Sequence, residues 1–261
     1  MTMTIDFVTH SQKLTARFAE SLPTTYTLRT TAEIVKKSLE ALKGVDMRNV
    51  VHPKTGKQLT EHDLRIVIFH EHYIPGYFVT NDGYCFSQWG RLAKRATLVN
   101  ELKPLKLYAE MNHNASIVPK LRIAVKVPKD LAETYHYKNS CTKVDVHRIV
   151  ARAWIPFDEF VAPFLTPEQL KIALSEPIVV NHIDGDATNN HWTNLEYITQ
   201  KENGRHAKMI NADEEAVEKR TESQQPYIDA YQGKKKQKTV TIKTKTKPKR
   251  KTVSLLKFMK C

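Results

Sequence analysis

Residues 178–207 leave little choice of local fold. Ile178-Val179-Val180 follows Pro177 as a β-branched run. It predicts a short buried strand that delivers Asn181 and His182 at its end. Asp184 to Asn190, with Gly185 inside, predicts a tight polar loop. Leu195-Glu196-Tyr197-Ile198 alternates, which predicts a second strand antiparallel to the first. Thr199 and Glu202 stand at capping-box spacing, so a helix is expected to begin near Gln200. Asn203 falls in its first turn, and His206 and Ala207 follow one turn later on the same face.

The residue types in this frame suit phosphodiester chemistry. A phosphodiester is anionic and its leaving alkoxide is strongly basic, so a metal ion helps by offsetting charge on both. The side-chain carbonyls of Asn203 and Asn181 suit a hard cation such as Mg²⁺ or Mn²⁺. His182, with an ordinary imidazole pKa of roughly 6.5, can take a proton from water at neutral pH.

Asn181-His182-Ile183-Asp184-Gly185-Asp186, with Asn194-Leu195-Glu196 and Glu202-Asn203, resembles the HNH nuclease motif in the form found in phage and intron-encoded homing endonucleases. The resemblance runs over about residues 146–207, and more loosely over 73–110. It implies an α+β chain built on a ββα-metal unit, cutting double-stranded DNA with one divalent cation, Mg²⁺ or Mn²⁺. It further implies His182 as general base, Asn181 and Asn203 as metal ligands, and Asn194 as a brace for the loop. Many relatives carry Asp where this chain has Asn181. Two neutral ligands imply weak metal binding. Asp184 and Asp186 read as turn residues, with supply of the missing charge as the alternative. On the helix, Arg205 and His206 are candidate nucleic-acid contacts, against a solvated helix surface.

Upstream, Val146 to Trp154 has helical apolar spacing and a stop at Pro156. Ile149, Val150, Ala153 and Trp154 read as core and His147 as a packed histidine, while Arg148 is a candidate phosphate contact. Thr166 to Lys171, with Pro167 at the first helical position, reads as a helix in an insert without an assigned role. Tyr73 to Ser87 predicts two strands around Asp82-Gly83, similar to the NUMOD-type module of homing endonucleases. Arg91, Lys94, Arg95, Lys103 and Lys106 follow, as a DNA track or a solvated basic face. Leu121 to Val127 alternates as another strand, and Thr31 to Gly44 is an amphipathic helix closed by Gly. The expected organisation is a helical segment (1–65), a β-rich module (66–143), the HNH unit (144–211), and a polar connector with a basic tail (212–261).

Charge is concentrated at one end. The chain carries 41 Lys+Arg against 28 Asp+Glu, and twelve of the cations lie from Lys234 onward, where no acid occurs. The remainder holds 29 against 28 and is nearly neutral. Lys234, Lys235, Lys236, Lys249, Arg250 and Lys251 mark an expected disordered tail that attracts a polyanion, or else only solubilises. No run of about twenty apolar residues occurs, so no membrane span is expected. The N-terminus lacks a signal pattern and the three cysteines are scattered, which points to the cytoplasm. Nothing in the pattern indicates a protein partner, so a monomer is expected. His70-Glu71-His72 is not a zincin helix, since the second His would need to stand at position 74.

Overall fold

The computed structural model of the chain describes residues 29–92, 95–111, 119–137, 140–160 and 178–244. It is an α+β structure, as the sequence implies. The first helix among the described residues, α1 (Thr31–Leu42), is capped by the Thr30 hydroxyl, which accepts from the Glu33 amide. It ends just before Gly44, whose φ of 84° only glycine adopts cheaply. α1 packs against β1 (Arg65–Phe69), where Ser38 Oγ donates to Ile34 O and accepts from the Ile66 amide.

β1 is followed by β2 (His72–Val79), β3 (Cys85–Leu92) and β4 (Arg95–Pro104) in one antiparallel sheet of that order. The Tyr73–Ser87 hairpin is present, with Phe78 opposite Phe86 and Gly83 at φ 92° in its turn. The His70-Glu71-His72 triplet is not helical: His70 and Glu71 form the β1–β2 turn, both at positive φ. β5 (Tyr108–Met111), β6 (Pro119–Lys126) and β7 (Cys141–Asp145) make a second antiparallel sheet, with the short α2 (Lys129–Thr134) between β6 and β7.

α3 (Val146–Trp154) is the strut between these sheets and the ββα unit. Its apolar spacing puts Val146, Ile149, Val150 and Ala153 out of solvent. Each fully buried branched side chain of this kind contributes about 1.5–3 kcal/mol. The core they join runs from Val67 and Val79 of the first sheet through Ile123 and Val144 of the second to Leu195 of the ββα unit. The sequence boundary at 143/144 therefore falls inside one hydrophobic core. A separate core under the other face of the first sheet holds Leu42, Leu64, Phe78, Phe86 and Leu102.

After α4 (Phe157–Phe160) come β8 (Ile178–His182), a 3₁₀ turn (Trp192–Asn194), β9 (Leu195–Thr199) and α5 (Gln200–Ala212). β8 and β9 pair antiparallel, with His182 opposite Leu195. Thr199 and Glu202 form the expected capping box. The helix read at Thr166–Lys171 lies outside the described residues. The last helix, α6 (Glu214–Thr244), carries Lys234, Lys235 and Lys236 on helical backbone. Composition predicts a disordered tail there; the correction is that lysine propagates an established helix well. Lys249, Arg250 and Lys251 lie outside the described residues. Among the described residues no helix is long and apolar enough to cross a membrane.

Candidate active site

The site forms where β8 ends against the loop and α6. Both His182 and Asn181 are buried, His182 by α3 and the loop, which puts a polar strand end where only hydrogen bonds can satisfy it. His182 Nε2 lies 3.1 Å from Asn190 Oδ1. Asn190 Nδ2 donates to Thr188 O at 3.2 Å, so its carbonyl faces the imidazole. A carbonyl only accepts, hence the proton sits on Nε2 and the lone pair on Nδ1. Burial pushes the His182 pKa below its ordinary value, against the pull of Asn190 and of Asp184 and Asp186. The ring is thus neutral at pH 7, with Nδ1 as the basic atom.

Asn190, only 3% exposed, is the site residue that the sequence does not single out. The signal available was weak: a second Asn in a loop already rich in Asp and Asn. It is fixed from the far side by the β2–β3 turn. Gly83 lies so close that a Cβ there would stand 2.8 Å from Asn190 Cβ and 2.9 Å from Val146 Cγ1. The Trp192 amide donates to Asn81 O at 2.8 Å in the same contact. The upstream hairpin therefore braces the loop that orients the imidazole.

His147 is packed, as its position on α3 implies, but its neighbour is the candidate base. The two rings stand 5.0 Å apart, centroid to centroid. Burial first, then the neighbouring His182, brings the His147 pKa down to about 3.

Asn194 braces the loop with every polar atom of its side chain. Nδ2 donates to Asp184 Oδ1 (2.8 Å) and Asn189 O (2.9 Å), and Oδ1 accepts from the Asp184 amide (3.1 Å). Asp184 also accepts from the Asp186 amide and from Asn189 Nδ2. Asp186 accepts from the Thr188 amide and hydroxyl and from Gln224 Nε2. Both carboxylates thus accept hydrogen bonds that shape the loop, Asp186 through Oδ1 and with one bond from α6.

Asn181 Nδ2 donates to Glu196 Oε1 at 2.8 Å and to His206 Nδ1 at 3.1 Å. The His206 Nε2–H donates to Ile183 O at 3.1 Å. Both His206 nitrogens are thus engaged, and this ring latches α5 to β8. The same bonds fix the Asn181 amide with its nitrogen turned inward, leaving a carbonyl oxygen with no partner among the described residues. That is the donor a hard cation takes. Asn203 is half-buried in the first turn of α5, one turn before His206, and its side chain makes no hydrogen bond among the described residues. It is not among the residues lining the cavity described next.

That cavity, about 590 Å³, is lined by Asn181, His182 and His206 on one side and by Arg220, Thr221 and Gln224 of α6 on the other. Of the remaining candidate contacts, Arg205 is exposed on α5, and Arg148 is half exposed with Nε 3.6 Å from Asp145 Oδ2. Arg91 and Arg95 sit at the β3–β4 turn by backbone register, and Lys94 lies outside the described residues.

The ββα unit thus presents a tautomer-fixed histidine beside an amide carbonyl that has no partner among the described residues. Residues 174–205 match the model of the HNH endonuclease family. A solved structure concerning DNA binding and cleavage by the HNH homing endonuclease I-HmuI is similar at 21% identity, with a TM-score of 0.28. The match covers 56% of this chain and 60% of that one, a likeness too distant for residue-level comparison. No curated protein matches the chain.

Proposed function

We propose that the chain is a metal-dependent DNA endonuclease of the homing type. The observation that carries this reading is the His182 Nε2–H···Oδ1 Asn190 hydrogen bond, which leaves Nδ1 without a partner among the described residues on a side chain that lines the cavity. Water enters opposite the leaving group, and His182 Nδ1 accepts its proton as the oxygen attacks phosphorus; the P–O bond to the leaving oxygen breaks, and that oxygen takes a proton from solvent water. Asn190 holds the ring in plane and stabilises the imidazolium through its carbonyl. Asn194 and Asp184 brace the loop, and the bonds from Asn181 Nδ2 to Glu196 and His206 fix the amide of a residue that lines the cavity. Asn181 and Asn203 would hold a Mg²⁺ or Mn²⁺ ion, which supplies charge neutralisation at the scissile phosphate and the leaving oxygen. Double-stranded DNA is the substrate this chemistry fits, with Arg205, Arg148, the β3–β4 turn and the basic C-terminal residues as backbone contacts.

Incubating purified full-length protein with supercoiled plasmid, with and without Mg²⁺ or Mn²⁺ and with EDTA, tests the reading. Nicked or linear product only with metal is the expected result. Asn181 in place of an acidic ligand favours a second reading, a DNA-binding protein of HNH ancestry that cuts poorly. That reading gives a gel shift without product.

A further inference from the structure

Arg220 of α6 lies beyond the segment that matches the HNH family, yet its side chain lines the same cavity as Asn181 and His182. Among the described residues it makes no ion pair. Its guanidinium donates from Nη2 to an amide oxygen, Asn211 Oδ1, at 2.9 Å. On its other side is a depression lined by Asp184, Asp186, Asp213 and Glu215, none of which forms an ion pair with it. Those carboxylates serve the loop and the helix start instead; Asp186 is held by Thr188 and Gln224, and Glu215 by Lys219 at 2.6 Å.

The arginine is also held in place. Gln224, 4% exposed, anchors α6 by donating from Nε2 to Asp186 Oδ1 at 3.0 Å. Ser223 Oγ lies 3.1 Å from Thr188 Oγ1, and Tyr227 packs on the main core. The guanidinium rests over the catalytic loop at Gly185: a Cβ there would stand 3.2 Å from Arg220 Nη1 and 2.8 Å from Ile210 Cγ2. A planar guanidinium with unused donors, lining the same cavity as a candidate base, has the chemistry of a phosphate ligand.

We infer that Arg220 binds the non-bridging oxygens of the phosphodiester that enters the cavity beside His182, making α6 a working part of the active site. This rests on the nuclease reading above. The test compares Arg220→Gln and Arg220→Lys with the wild-type full chain in two assays: plasmid cleavage with Mg²⁺ or Mn²⁺, and duplex binding in EDTA across a salt series. Arg220→Gln is expected to lose cleavage on the order of a hundredfold, as when one transition-state donor is removed. Its plot of log affinity against log salt should flatten by about one, the signature of one lost phosphate contact. Arg220→Lys should restore the slope but only part of the rate, because a point charge lacks the fork. Wild-type cleavage and slope in Arg220→Gln would overturn the inference. So would equal loss of rate in both variants with no change of slope and a lowered melting temperature, which would mark a structural role. If the wild type binds DNA but does not cut, the nuclease reading fails, and the salt slope still decides whether Arg220 holds a phosphate.

Discussion

Replacing Gly83 with alanine tests whether the upstream hairpin and the candidate base are one mechanical unit. Gly83 has φ 92°, and a non-glycine residue held in such a region costs about 1–3 kcal/mol. The new methyl group would stand 2.8 Å from Asn190 Cβ and 2.9 Å from Val146 Cγ1. Neither neighbour can yield easily, since Val146 is fully buried in α3 and Asn190 is tied to His182 and Thr188. Overpacking of this kind costs about 1–3 kcal/mol. Together the two effects give about 2–6 kcal/mol, a large fraction of the roughly 5–15 kcal/mol that holds a domain folded. Urea denaturation followed by tryptophan fluorescence reads the loss, with Trp154 and Trp192 both near the affected contact. At a temperature where the variant is still folded, cleavage should also fall, because the methyl group pushes Asn190 off His182 Nε2. Gly83→Asn separates the causes: it tolerates positive φ but keeps the clash, so it should remain destabilised. A Gly83→Ala protein within about 0.5 kcal/mol of wild type, the scatter of an ordinary surface substitution, would refute the docking described here.

Three further outcomes are expected. Asn203→Ala should reduce cleavage more than Asn181→Ala, since Asn203 has no other duty while Asn181 is also a structural hydrogen-bond donor, and calorimetry should show weak Mg²⁺ binding by the protein alone; tight binding without DNA contradicts the neutral ligand set. His147, held neutral with its pKa near 3, binds fewer protons folded than unfolded between about pH 3 and the ordinary value of 6.5, so stability should fall as pH drops through that window at up to ~1.4 kcal/mol per unit, and His147→Phe should flatten the fall in urea titrations at pH 6, 5 and 4. Truncation before Lys234 should weaken binding to specific and random duplexes alike and lower the salt slope by several units, at about 0.9 per phosphate contact, while low-salt cleavage survives; an unchanged slope would reduce this segment to a solubilising one.

The local elements of the site were legible because their signals are local. Alternation at Leu195–Ile198 and the Thr199/Glu202 box specify β9 and the start of α5 within a few residues, and both stand where the pattern puts them. What depends on contacts across the chain was not. Asn190 acts through His182 and Gly83, and nothing in its own neighbours distinguishes it from Asn189. The His70-Glu71 turn takes positive φ at two non-glycine residues, where Asn-Gly is the usual signal, and is held by Arg29 and Arg152 reaching Glu71 from distant segments. α6 reads as polar on every side, so its docking through Gln224 and Tyr227 gives no amphipathic stripe to find. The single core joining the β-rich segment to the ββα unit was hidden for the same reason, because α3 supplies apolar residues to both.

The most direct measurement is the single-turnover cleavage rate of His182→Ala against wild type, at saturating protein and with Mg²⁺ or Mn²⁺. With Nδ1 as the base, the variant should cut about a hundredfold or more slowly, since a general base contributes on the order of 10²–10⁴. DNA affinity in EDTA should change little, because the buried imidazole touches no backbone phosphate before the reaction. A variant that cuts at the wild-type rate would contradict the assignment of His182, and with it the account of the site.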